Sequence, residues 1–392
     1  MMPIATSLAS EASPAQAPIE EIPRVGTSIP EARISRASTS TPTSRLMLNP
    51  PAVRVDVAAS SDCARWIRYV DAHPEASVFH RWEWRGILAG TFGHVPHYLI
   101  ASRAGEVSGV LPLVEVRSLL FGRALVSLPF CSWAGPIASD DQSLARLDEA
   151  ASALADCLGA RRLEYRWVGE PRFGRPTQDL YVRFAADITA DHEANLKAVP
   201  RKQRAMIRKG IAHSLTSAIE SVASFYPLYA DNVHRHGTPG CPPRFFHAIA
   251  EAFGADCEVL VVRNPSGAPL SAVLSLYHRN EVLPFYAGDL PAARSTAAND
   301  FKYWEVMRRA VDRGARRFNF GRSKRGTGSF DFKRNWGFEP TPLSYEYRLA
   351  EGGGVPQIHP ANPKYRMVIA AWRRLPRWVV NAAGPVLVRS LG

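Results

Sequence analysis

Two similar stretches indicate how the chain folds: Gly159-Ala160-Arg161-Arg162-Leu163-Glu164-Tyr165 and Gly314-Ala315-Arg316-Arg317-Phe318-Asn319-Phe320. Each follows a helical pattern, at residues 144–158 and 301–313, and each helix follows two β-rich runs joined by a glycine turn. A short match can arise by chance in a chain rich in alanine and arginine. The shared order of hairpin, helix and exit strand favours two copies of one α/β domain, because so long a period is not that of a solenoid. We expect a ligand cleft between or beside the copies.

The length of 392 residues allows two ordinary domains. We predict the first at residues 53–185 and the second at 186–350. Residues 1–50 are rich in Ser, Ala, Pro and Thr and predict disorder. Met47 stands just before the first strand-like run, so translation starting there is a further hypothesis.

The formal charge of +12 favours acidic partners: phosphates, nucleic acid, anionic lipid or polyanionic sugar. The alternative explanation of this charge is an arginine-rich composition whose arginines lie on solvent-exposed faces. Five cysteines without a C-x-x-C pair, and histidines without H-x-x-x-H spacing, indicate neither disulfides nor a metal site. We expect no bound metal. With no signal-peptide pattern and no spanning run, the expected location is cytoplasmic.

The C-terminal segment 360–392 alternates basic and apolar residues and is predicted to be helical. Arg373, Arg374 and Arg377 accompany Trp372 and Trp378. Such a segment can lie on an anionic inner-membrane surface as a peripheral contact. The alternative is a helix docked on its own domain.

The second domain opens with a basic helix that is predicted to begin at Pro200. Arg201, Arg204 and Arg208 stand at i, i+3 and i+7 and therefore share one face. One such face can bind phosphate through paired N–H groups, or it can simply be solvated.

The segment from Phe318 to Phe338 is the richest in candidate groups. We predict a strand that ends at Gly321, followed by a loop whose cations are Arg322, Lys324 and Arg325. The loop matches neither common nucleotide-binding glycine pattern. Lys333, set among aromatic residues, is a candidate electrostatic stabiliser, or an ordinary surface lysine.

The candidate acids are Asp289, Asp300 and Asp331. Asp300 opens a helix and can act as a base or merely stabilise the helix start. An irregular stretch at residues 127–136, broken by Pro and Gly, is of the kind that lines sites more often than it fills cores.

Three motifs together resemble the FemAB-like branch of the GNAT acyltransferase superfamily: Asn299-Asp300-Phe301-Lys302-Tyr303-Trp304, Phe320-Gly321-Arg322-Ser323 and Phe332-Lys333-Arg334-Asn335-Trp336-Gly337. More narrowly, they are similar to FemAB-related proteins of exosortase/PEP-CTERM systems, found beside exopolysaccharide genes. The resemblance covers the chain from about Val53 onward. It implies tandem GNAT-like domains with mixed, largely antiparallel sheets flanked by helices, an α/β (α+β) fold.

The resemblance also implies transfer of an acyl or aminoacyl group to an amine. Lys333 would stabilise the oxyanion or leaving group, and Asp300 would be base or substrate orienter. Substrate contacts are expected at Asn299, Tyr303, Gly321, Arg322, Ser323, Phe332, Trp336, Tyr286, Arg201, Arg204 and Arg208. No cofactor is expected to be bound, and the co-substrate would be acyl-CoA or aminoacyl-tRNA. The chain departs from CoA-dependent relatives because residues 289–299 lack their Q/R-x-x-G-x-G/A loop.

The expected acceptor is an amine of an exopolysaccharide or cell-envelope precursor, such as a lipid-linked glycan. Its diphosphate would be clamped by the Arg201/Arg204/Arg208 stripe and the Arg322/Lys324/Arg325 loop. A different class remains open: a catalytically silent GNAT-like protein that binds a polyanionic glycan or nucleic acid.

Overall fold

The computed structural model describes residues 51–118, 122–355 and 363–391. The predictions for residues 1–50, including the start at Met47, lie outside them. The first half contains the strands β1 (Arg54–Val57), β2 (Val95–Arg103), β3 (Glu106–Ser118), β4 (Gly122–Ser127), β5 (Ile137–Ala138), β6 (Arg162–Val168) and β7 (Thr177–Asp187). Its helices are α1 (Cys63–Ala72), α2 (Trp84–Phe92) and α3 (Asp141–Cys157).

The second half has the strands β8 (Thr216–Glu220), β9 (Cys257–Arg263), β10 (Pro269–His278), β11 (Glu281–Asp289), β12 (Arg317–Lys324) and β13 (Pro340–Leu349). Its helices are α4 (His192–Ala198), α5 (Arg201–Ala212), α6 (Val222–His236), α7 (Pro243–Phe253), α8 (Ala298–Asp312) and α9 (Gly328–Asn335). The C-terminal segment forms α10 (Pro363–Arg374) and α11 (Arg377–Leu391).

The two Gly-Ala stretches end their helices in the same way. Gly159 and Gly314 both take positive φ, 60° and 86°, which costs glycine no Cβ clash. Their N–H groups bond three residues back, and those of Ala160 and Ala315 bond five residues back. This is the Schellman pattern of helix termination. The sequence match therefore marks one helix-to-strand exit used twice.

The strands form one sheet in which the halves mirror each other, in the order β1-β2-β3-β4-β6-β13-β7-β12-β11-β10-β9-β8, with β5 on β3. All pairs are antiparallel except β4–β6 and β11–β12, which confirms the predicted mixed, largely antiparallel class. The final strand of each half pairs with the other half: β7 with β12, and β13 with β6. The sheet is therefore continuous, and the boundary predicted between residues 185 and 186 falls inside β7.

Alternating side chains place a core on each face of the sheet. In β9, Val259 and Val261 face the core beneath α6 and α7, whereas Leu260 and Val262 face the core beneath α8. Gly288 of β11 lies so close to α6 that an added Cβ would stand 2.4 Å from the carbonyl carbon of Leu228. This close approach fixes α6 over the strand that carries the candidate site.

The C-terminal helices pack on the rest of the chain, α10 against α6 and α11 against β3 and α6. Trp372 and Val380 are buried there, whereas Met367 and Val386 are mostly exposed. Among the described residues, no helix is both long and apolar enough to cross a membrane. In the same residues, no group of His, Cys, Asp and Glu is arranged to hold a metal ion.

Candidate active site

The parallel strands β11 and β12 separate soon after they begin. They pair only at Glu281–Arg317 and Val282–Phe318, although β11 continues to Asp289 and β12 to Lys324. Both strands are irregular beyond this point. Gly321 takes a φ of 71° at a bulge in β12, and Pro284, which has no N–H group, lies at a bulge in β11. The separation opens a gap in the sheet and leaves the facing edges of the strands unpaired.

A cavity of about 240 Å³ occupies this gap. Its walls combine aromatic and aliphatic surface with three kinds of polar group: hydroxyls, one guanidinium and one amine. The lining residues are Phe130, Ser132, Leu283, Pro284, Phe285, Tyr286, Ala287, Tyr303, Phe320, Gly321, Arg322, Ser329 and Lys333. No carboxylate is among them, so the cavity's titratable groups are tyrosines and cations.

Lys333 supplies the amine from the helix that follows β12. Thr327 starts α9 by accepting a hydrogen bond from the N–H of Phe330, and the helix carries Lys333 back over the strand. The Lys333 ammonium donates to the carbonyl oxygens of Arg322 (2.9 Å) and Gly321 (3.3 Å). Its side chain is buried. Burial, with the nearby Arg322 cation, lowers the pKa of Lys333 to about 7. This amine can therefore both accept and give a proton at neutral pH.

Arg322 links the cavity to the first half of the chain. Its Nη1 donates to the hydroxyl of Tyr345 at 2.6 Å, and its guanidinium carbon lies 4.6 Å from the ring centre of Tyr181. The Tyr345 hydroxyl donates in turn to the carbonyl oxygen of Ser132, at 2.9 Å. A fixed cation thus stands beside Lys333.

The loop after β4 forms the wall that the first half contributes. Leu128 and Phe130 hold positive φ, 56° and 68°, which is strained for residues with a Cβ. The buried Arg166 holds the loop by donating to the carbonyl oxygens of Leu128 (3.1 Å) and Cys131 (2.6 Å). Phe130 and Ser132 reach the cavity from this loop, as expected for residues 127–136.

The same loop fills the matching gap of the first half. There β4 and β6 pair over three residues, Ala124–Arg162 to Val126–Glu164. Beyond this point the N–H groups of Ala134 and Gly135 bond to the carbonyl oxygen of Arg166. A Cβ on Gly135 would come within 2.9 Å of the Trp167 ring. The chain itself therefore occupies this gap, whereas the gap between β11 and β12 contains a cavity.

Five predicted site residues meet at the cavity: Tyr286, Tyr303, Gly321, Arg322 and Lys333. Three others lie close behind its lining. Ser323 shares a hydrogen bond of 2.9 Å with Ser329, and Phe332 and Trp336 pack with Tyr303. The prediction that the strand ends at Gly321 is wrong, because the bulge lets β12 continue to Lys324. Arg322 and Lys324 consequently belong to a strand rather than to a loop.

The structure does not bring Asp300 to the cavity. Its carboxylate accepts hydrogen bonds from Gln203 Nε2 (2.8 Å) and Trp336 Nε1 (3.1 Å) and so joins α5, α8 and the end of α9. Burial raises the pKa of Asp300 to about 6. Asp289 is held by Lys302 at 2.8 Å, and Asp331 is exposed. None of the three predicted acids lines the cavity, and neither does Asn299.

The predicted arginine stripe also lies elsewhere. The face of α5 that packs inward carries Gln203, Ile207 and Gly210. Arg201 and Arg208 are exposed, and Arg204 donates to the carbonyl oxygen of Lys197. The stripe therefore does not line the cavity, and phosphate binding by it stays a prediction. Sequence reasoning missed the lining residues Leu283, Pro284, Phe285, Ala287, Phe320 and Ser329, of which only Phe320 stands next to the predicted strand end at Gly321.

Comparison with known proteins gives one family match, to the acetyltransferase (GNAT) domain over residues 194–334. No curated protein sequence matches the chain. Among solved structures, FemX is similar with a TM-score of 0.57 at 14% identity, over 75% of this chain and 97% of FemX. A conserved protein of unknown function from Bacteroides thetaiotaomicron gives 0.52 at 11% identity, over 76% of this chain and all of that one.

A tandem GNAT protein from the clavulanic acid biosynthesis pathway is also similar, with a TM-score of 0.51 at 11% identity, over 78% of this chain and all of that protein. At these identities the likeness is one of fold. It agrees with the two mirrored halves found here. Residues 194–334 thus match the model of the GNAT acetyltransferase domain, and the fold of the chain is similar to those of FemX and of a tandem GNAT protein.

Proposed function

We propose that this chain is an N-acyl or aminoacyl transferase that modifies an amine of an exopolysaccharide or cell-envelope precursor. The observation that carries the proposal is Lys333: a buried amine with a pKa of about 7, inside the gap between two separated strands. The GNAT domain over residues 194–334 supports acyl transfer in general. The resemblance to FemAB-related proteins of exosortase/PEP-CTERM systems supports the choice of acceptor.

The gap between β11 and β12 suits an extended acyl donor. Unpaired strand edges offer N–H and C=O groups to a chain that lies along them. A volume of about 240 Å³ holds the reacting end of a donor, while the rest of the donor extends beyond the cavity. A thioester of CoA and an ester of tRNA both present a carbonyl group, so the donor is left as acyl-CoA or aminoacyl-tRNA.

The reaction forms a C–N bond between the acceptor amine and the donor carbonyl carbon, and it breaks the C–S or C–O bond of the donor. The amine proton must leave, and the departing sulfur or oxygen must gain one. We assign both transfers to Lys333, which takes the proton as a neutral amine and returns it as an ammonium. The Arg322 guanidinium is the fixed cation near the developing oxyanion. Asp300 is not part of this scheme.

The test of the proposal is donor consumption with a cavity-filling variant. Purified protein is incubated with labelled acetyl-CoA or aminoacyl-tRNA and amino-sugar acceptors. Ala287 lines the cavity, so Ala287→Phe should lower kcat/KM at least about tenfold by displacing the donor. Ala205→Phe, on the exposed face of α5, is the matched control and should leave the rate unchanged.

If the chain is instead a catalytically silent binding protein, the same experiment should give a different result. No donor would be consumed with any acceptor, and polyanion binding would weaken as salt rises. Equal rates for the Ala287→Phe and Ala205→Phe variants would also contradict the proposed site.

A further inference from the structure

A second and larger cavity, of about 390 Å³, lies where β11 and β12 still pair. Its walls come from both halves of the chain: the turn after α1, the loop before β5, the end of β6, and the starts of β11 and β12. Five arginines and two glutamates line it: Arg166, Arg172, Arg183, Arg279, Arg317, Glu75 and Glu281. The cavity is therefore cationic, unlike a pocket that would accept an apolar ligand.

Four of these arginines already have partners. Arg166 pairs with Glu164 at 2.8 Å, and Arg172 pairs with Glu75 at 2.7 Å. Arg317 pairs with Asp187 at 2.7 Å and with Glu281 at 3.5 Å. The fourth, Arg279, donates to the carbonyl oxygens of Val70, Asp71 and His73 at the end of α1. These contacts hold the four guanidinium groups in place along the cavity wall.

Arg183 is different. Its guanidinium carbon lies 5.5 Å from the ring centre of Trp133, and its buried Nε has no hydrogen-bond partner. Within the described residues, no carboxylate forms an ion pair with it. Burial lowers the pKa of Arg183, and the nearby carboxylate of Glu281, which faces the same cavity, only partly offsets this effect. A half-buried guanidinium without an ion-pair partner would be stabilised by an anion that enters the cavity.

The other titratable groups facing the cavity are two histidines. Burial lowers the pKa of both His80 and His278 to about 4, so neither adds a charge at neutral pH. The Nε2 of His80 bonds to the carbonyl oxygen of Gly135, whereas the Nε2 of His278 is buried without a partner. The net positive charge therefore comes from the arginines, and a guanidinium fork suits phosphate oxygens best.

We propose that this cavity binds the phosphate group of a small soluble phosphate ester, with Arg183 as its principal ligand. The site is separate from the acyl-transfer cavity, and the proposal does not depend on the transferase reaction. The two cavities share one wall, because Phe130 and Ser132 face one while Trp133 and Pro136 face the other.

Calorimetry with inorganic phosphate and with glucose 6-phosphate, at constant ionic strength, tests the site. The wild type should bind one ester per chain. Arg183→Gln should weaken binding at least about tenfold, since it removes charge-assisted hydrogen bonds. Arg244→Gln removes the same charge from the exposed start of α7 and should change affinity less than twofold. Equal affinities for the Arg183→Gln variant and the wild type, or equal losses in both variants, would overturn the proposal.

A second variant and a vesicle-binding measurement complete the test. If Arg183→Gln does not fold, Arg183→Lys takes its place, because lysine keeps the charge but lacks the paired N–H donors of the guanidinium group. The Arg183→Lys variant should bind the ester more weakly than the wild type. Unchanged affinity would count against the site. Phosphatidate vesicles distinguish a lipid headgroup from a soluble ester. Vesicle binding should be the same with and without Arg183. Arg183-dependent vesicle binding, with no binding of the soluble ester, would overturn the soluble-ester assignment.

Discussion

Lys333→Met should lower kcat for acyl transfer by about 10²–10⁴-fold while the fold stays intact. Methionine keeps much of the length and burial of the lysine but can neither accept nor donate the transferred proton. Among the residues that the structure describes, Lys333 is the only amine that lines the cavity and no carboxylate lines it, so we expect no other side chain to take over. The measurement is single-turnover transfer of a labelled acyl group.

The matched control for this variant is Lys202→Met, which removes an exposed lysine from the same domain. It should retain the wild-type rate. Donor binding by Lys333→Met should remain within a fewfold of the wild type, because strand edges and aromatic walls hold the donor. A Lys333→Met enzyme that transfers at the wild-type rate would remove Lys333 from the chemistry.

The same substitution should make the protein more stable below pH 7, on the order of a few kcal/mol, because removal of the buried charge outweighs loss of the hydrogen bonds to the Gly321 and Arg322 carbonyl oxygens. The pKa of Lys333 falls from 10.5 to about 7 on folding, so the folded state binds this proton less tightly than the unfolded state does. The resulting cost is complete below pH 7, shrinks as the pH rises from 7 to 10.5, and is absent above that range. Lys333→Met removes the cost.

Urea unfolding at pH 6 and at pH 10 measures this effect as a difference between variant and wild type. The stabilisation should be a few kcal/mol at pH 6 and much smaller at pH 10, and Lys202→Met should stay within about 0.5 kcal/mol of the wild type at both. A Lys333→Met advantage that is the same at pH 6 and pH 10 would mean that Lys333 is charged in the folded protein across this range.

The repeat could be predicted from sequence because its signal is local. Gly159 and Gly314 stand just after a helix end, where the backbone takes a positive φ that favours glycine. This pattern needs no tertiary contact. The exchange of β7 and β13 between the halves could not be predicted. The exchange depends on which distant strand edges meet. The alternation of side chains between the two faces of a strand is the same whichever strand it pairs with, so it does not identify the partner.

For a related reason, only part of the candidate site could be predicted from the sequence. Gly321 breaks regular structure, and sequence alone does not distinguish a strand end from a bulge, so β12 was predicted three residues too short. The spacing of Arg201, Arg204 and Arg208 gave their shared face correctly, but not the fact that α8 packs on the opposite side of α5. The position of Asp300 away from the cavity lining could not be predicted, because its partners Gln203 and Trp336 lie far away in sequence.

In the proposed reaction, Lys333 carries the proton in the gap between β11 and β12. The pH dependence of kcat/KM tests it most directly, with an aromatic amine as acceptor, since such an amine is already neutral over the range studied. We expect kcat/KM of the wild type to rise through about pH 7 and then level off, as the neutral form of Lys333 accumulates. A rate that falls as the pH rises through 7, or one that does not change there, would contradict it.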